Sequence, residues 1–152
     1  MKILPAVLML ACAPLAVGNS NPGYPGGKLA RFVLEKLDVT TLPQELRPGH
    51  AKGKKTLEQY SFVPVAITES EAVLRNAAGP SEIVIRILEQ RGSGIYVCAR
   101  HRQNGTSNAD FQRVLLLEQK GANGLLKGKE SYREFASCPD IGGDDDLQTR
   151  TN

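Results

Sequence analysis

The sequence predicts an α+β domain: one short N-terminal amphipathic helix packed on an antiparallel meander of five or six strands. Three observations carry this. Apolar residues recur at helical spacing only once, between Lys28 and Leu37, whereas after Leu57 the pattern changes to alternation and short apolar runs. The 152 residues contain 15 glycines and 9 prolines, so turns are frequent and a bundle of long helices is excluded. The sheet is expected to be open or curled into a half-barrel around the helix, a sandwich being less favoured. With 41% apolar but only 5% aromatic residues and no tryptophan, the core is adequate and small.

The chain opens with Met1-Lys2 and an apolar run to Ala11, too short to anchor in a bilayer, followed by small residues at Ala16 and Gly18. Residues 1–18 therefore read as a secretory signal cleaved after Gly18. Leu10-Ala11-Cys12 also allows a lipoprotein reading, in which Cys12 carries the lipid and tethers the mature chain. No later stretch is long and apolar enough for a transmembrane helix. Residues 19–27, rich in Asn, Pro and Gly around Tyr24, read as a flexible leader.

The single globular domain is expected over 28–139. In its helix, Leu29, Phe32, Val33, Leu34 and Leu37 form the apolar stripe, and the β-branched run Val39-Thr40-Thr41 marks its end. An irregular connection follows, with positive charge gathered toward Lys55. Tyr60–Ile67 alternates as a strand, but Pro64 cannot donate a ladder hydrogen bond, which assigns it to an edge or bulge. Strands follow at Glu71–Asn76 and Glu82–Glu89, the latter apolar on both faces and hence internal. Gly92-Ser93 forms a hairpin to Ile95–Ala99. Gln103–Asp110 is a polar loop, Phe111–Glu118 a buried strand, Lys120–Gly124 a hairpin loop, and Ser131–Phe135 a last strand. The acidic, polar segment 140–152 reads as a disordered tail.

Export changes how the cysteines are read. With Cys12 in the leader, Cys98 and Cys138 remain, neither with a C-x-x-C partner, and the expected role is one structural disulfide pinning the tail to the sheet.

The sequence holds no phosphate-binding glycine loop, dinucleotide fingerprint, zinc-protease motif or serine-hydrolase elbow, so no cofactor is implied. Two histidines do not make a multi-histidine metal site, and Gly142–Asp146 lacks the alternating ligands of a calcium loop. Glu69 and Glu71 flank a turn and read as solvated. Asn104-Gly105-Thr106 fits a glycosylation acceptor but reads first as a turn.

What remains is electrostatic. Arg47, His50, Lys52, Lys54 and Lys55 crowd one loop, and Arg100, His101, Arg102 and Asn104 leave the end of a strand. If both sets meet at one end of the sheet, they form a cationic patch for phosphate, carboxylate or acidic polysaccharide. The mature chain carries 18 Lys and Arg against 16 Asp and Glu, a balance that supports a local patch but not a nucleic-acid-binding surface. The expectation is thus a secreted or periplasmic, non-catalytic binding domain contacting an anionic ligand, an envelope component or an extracellular protein. Alternatives are a small exported enzyme of unfamiliar type centred on His101, or an inhibitor of an extracellular enzyme docking through Gln103–Asp110.

Overall fold

The structure, a computed structural model, describes residues 24–104, 109–121 and 123–142. The expected signal segment, Cys12 and the tail beyond Gly142 lie outside the described residues. A helix, α1 (Leu29–Lys36), is followed by seven strands: β1 (Leu37–Asp38), β2 (Phe62–Ile67), β3 (Glu71–Asn76), β4 (Ser81–Arg91), β5 (Gly94–Gln103), β6 (Ala109–Gln119) and β7 (Leu126–Glu130). They form one curled sheet in the order β1-β7-β6-β5-β4-β3-β2. Neighbours from β2 to β7 run antiparallel, as a meander requires, while β1 joins β7 in parallel.

The half-barrel follows from alternation. On the concave face Ile83, Ile85, Ile95, Val97, Leu115 and Leu117 are buried, and α1 lays Ala30 and Val33 across β3 and β4 to close the core. Helix α1 ends where Leu37 turns extended. Asp38 then caps a short 3-10 turn over Val39–Thr41 by accepting from the Thr40 amide at 3.1 Å. Tyr24 packs on Phe32 with ring centroids 5.3 Å apart, and its hydroxyl donates to the Ser93 carbonyl. The chain therefore makes tertiary contacts from Tyr24 onward.

Most predicted strands are present, and Pro64 sits where its missing N–H is harmless: β2 is the edge strand, with a bulge between Pro64 and Ala66. Two expectations are corrected. The sheet has seven strands rather than five or six and is mixed rather than wholly antiparallel, because Leu37 and Asp38 pair with Leu126 and Lys127 directly after the helix. The last strand is Leu126–Glu130, not Ser131–Phe135. Gly128 permits this pairing, because a Cβ there would come within 2.7 Å of Leu42 Cδ2.

After Glu130 the chain leaves the sheet as a strap over the convex face. Cys98 and Cys138 lie at disulfide distance and are bonded, with Cα atoms 5.6 Å apart. They form a second, small apolar cluster with Val114, Leu88, Tyr96 and Phe135. Gln112 fixes the end of the strap: its side chain donates to the Pro139 carbonyl at 2.7 Å, and its backbone pairs with Ile141. No helix among the described residues is long and apolar enough to cross a membrane.

Candidate functional site

The two cationic sets are held by different parts of the fold. The loop 47–55 is fixed by hydrogen bonds of its own backbone and of one side chain. Arg47 Nε donates to the Leu42 carbonyl at 2.6 Å, and the Ala51 amide donates to the Tyr60 hydroxyl at 3.2 Å. A turn closes from Ala51 to Lys54, with Gly53 at φ +81°, where a side chain would be strained. The Lys55 carbonyl accepts from the Val39 amide at 2.8 Å, and its amide donates to Gln59 Oε1.

From this fixed backbone Arg47, His50, Lys52, Lys54 and Lys55 line one cleft of about 310 Å3, with Thr40 and Tyr60 among the other walls. Lys54 Nζ lies 5.6 Å from the centroid of the Tyr60 ring, a cation–π contact that leaves its charge available. None of these five side chains has a carboxylate partner among the described residues.

The strand set is divided by alternation along β5. Arg100 and Arg102 point to the convex face, where each meets acid. Arg100 forms a two-pronged ion pair with Asp110, its Nε donating to Oδ1 at 2.7 Å. Arg102 lies 3.6 Å from Glu82 and 3.8 Å from Asp110. The hydrogen bond from Arg100 holds the Asp110 carboxyl below the usual carboxylate range, and the same bond raises the Arg100 pKa. Arg75 pairs with Glu82, and Arg86 pairs with Glu71. This face is therefore an ion-paired lattice, with every one of these arginines facing a carboxylate, around a cleft of about 270 Å3 that shares no lining residue with the first. Asn104 is exposed at the end of β5, with its amide donating to the Pro80 carbonyl. Residues 105–108, the middle of the loop considered for enzyme docking, lie outside the described residues.

His101 points the other way, into the core, and is 2% exposed. Its Nδ1 faces the Glu45 carbonyl at 3.1 Å, which can only accept, so Nδ1 carries the proton. Nε2 then accepts from Ser81 Oγ at 2.7 Å. Serine and histidine stand at the distance of a nucleophile and its base, but the imidazole lines none of the clefts above, and Arg100 and Tyr96 lie on the opposite face of β5. The contact ties β4, β5 and the start of the cationic loop together.

Burial lowers the His101 pKa, opposed in part by the bond to Glu45. The unfolded chain, with an ordinary histidine near pH 6.5, then binds the proton more readily. The stability that this neutral ring contributes is complete above that pH and is lost as the pH falls through the lower, folded value. Urea midpoints measured between about pH 7 and about pH 5 are expected to fall more steeply for the wild type than for His101→Gln, which does not titrate.

Tyr132 was not singled out from the sequence. It stands 95% exposed on the strap, and its only signal in the sequence is an aromatic residue among the polar residues between Glu130 and Phe135. Below it the strap frames a hollow of about 710 Å3, floored by Val114 and Cys138. Comparison of the chain with protein-family models, with curated proteins and with solved structures finds no match.

Proposed function

We propose that this chain is an exported, non-catalytic binding domain that engages an anionic ligand, an envelope component or an extracellular protein through the cationic cleft of loop 47–55. One observation carries the reading: four cationic side chains, Arg47, Lys52, Lys54 and Lys55, line a single cleft with His50 on a hydrogen-bonded backbone and have no acidic partner among the described residues. A fixed backbone lowers the ordering cost on binding, and unneutralised charge attracts an anion over roughly a Debye length. Arg100 and Arg102 line a separate cleft and would meet an anion only after it displaced the Asp110 and Glu82 carboxylates, and Asn104 lines neither cleft.

Export is supported by the leader 1–18 and by the Cys98–Cys138 bond, which persists in an oxidising compartment. Periplasmic or extracellular release follows cleavage after Gly18, and a membrane tether follows only if Cys12 is lipidated. Nucleic acid is not the expected partner, since aromatic residues are few and the net charge is small.

The test is binding to inorganic phosphate, a sulfated polysaccharide and vesicles of anionic lipid at rising salt. Binding to at least one is expected to weaken as salt increases and to fall by about tenfold or more in Lys52→Gln/Lys54→Gln/Lys55→Gln. Arg100→Gln, measured separately, is expected to change it little. Binding that ignores both salt and the triple substitution removes the cleft from the account.

A further inference from the structure

We infer that the strap Ser131–Cys138 is a substrate-like loop that presents Tyr132 to a chymotrypsin-type endopeptidase and inhibits it. Such an enzyme binds an extended segment through backbone hydrogen bonds and buries one large apolar side chain in a pocket. Tyr132 is 95% exposed, and residues 132–134 belong to no helix or strand. Among the described residues their backbone groups make no backbone hydrogen bond, and the Arg133 amide donates to Ser131 Oγ at 3.2 Å. The segment thus offers an exposed side chain and backbone groups that lie outside the strand ladder.

What separates an inhibitor from a substrate is whether the ends part after cleavage, and here both ends are tied. On one side the Ser131 amide donates to the Val114 carbonyl directly after β7. On the other side Cys138 is bonded to Cys98 in the centre of the sheet. Arg133, directly after Tyr132, is held at 2.7 Å from Glu89 and stacks 5.0 Å from both the Tyr96 and Phe135 rings.

In the reaction, the protease serine oxygen bonds to the Tyr132 carbonyl carbon. The bond from that carbon to the Arg133 nitrogen breaks, and the serine proton passes to that nitrogen. Because Arg133 is anchored, the new amine stays beside the acyl carbon, and the reverse step re-forms the peptide faster than the fragment leaves. This surface is independent of the cationic cleft.

The experiment titrates a chymotrypsin-type protease with the intact, oxidised protein, reading residual activity on a small chromogenic substrate and mapping cleavage by mass spectrometry. Inhibition is expected with slow cleavage confined to Tyr132–Arg133. Tyr132→Ala, an exposed site whose change leaves the fold intact, is expected to weaken inhibition roughly a hundredfold. Tyr132→Lys is expected to transfer inhibition to a trypsin-type protease, and the triple lysine variant of the cleft to leave it unchanged. Full protease activity in excess protein, or cleavage of the strap as fast as a free peptide of the same sequence, overturns the proposal. So does inhibition indifferent to Tyr132→Ala.

Discussion

Replacing Cys98 and Cys138 together by alanine is expected to destabilise the domain by about 4 kcal/mol and to lower its melting temperature by about 10 °C or more. The bond closes a loop with a sequence separation of 40, and most of its effect lies in the unfolded chain, whose freedom it restricts. The native state also loses an anchor. Both sulphur positions are buried, at 4% and 3% exposure, and with Val114 they hold Phe135 against Tyr96 at a ring distance of 5.7 Å. Alanine rather than serine avoids burying unpaired hydroxyls. Urea denaturation of the two proteins measures the difference, and a change under about 1 kcal/mol would mean that the strap is held by its other contacts alone.

The second large effect is expected from Leu115→Ala, at about 2 to 5 kcal/mol. Leu115 is fully buried on β6, next to Val97 of the central strand β5, so truncation leaves a cavity walled by strand residues that cannot collapse without breaking the ladder. A matched change at exposed Val63, on the β2 edge, provides the control and is expected to cost well under 1 kcal/mol. If the two variants unfold at similar urea concentrations, the concave face is not the core.

The short strand β3 was legible to the residue, and alternation of Ile83, Ile85 and Ile87 placed β4 within two residues at either end. The apolar run Val114–Leu117 does not alternate, and β6 was legible from its place before a hairpin loop. Only the first half of β5 was legible, from Ile95, Val97 and Ala99; Arg100 to Gln103 continue the strand rather than leave it, because pairing with β4 and β6 on both sides holds polar residues in the ladder. The strand expected at Ser131–Phe135 is a strap with Phe135 turned onto Tyr96, and the true partner of β6 hides its pattern behind Gly128. Two-residue β1 has no periodicity to read.

For the site, the loop cluster was legible as composition, and its single cleft is a property of turns around Gly53 and Tyr60 that composition does not contain. The division of Arg100 and Arg102 from His101 follows from the period of two and was readable. That Asp110 and Glu82 neutralise those arginines depends on register between strands, which no single strand specifies.

Leu37 and Asp38 pair with Leu126 and Lys127, and the Thr41 hydroxyl oxygen accepts from the Gly128 amide across 87 positions of sequence. A ribosome therefore delivers the helical end of this domain long before the strand that completes its neighbour. Until Leu126–Glu130 emerges, the flank of β6 stays unpaired and adhesive, so nascent chains stalled short of that point are the species most exposed to aggregation and to chaperones.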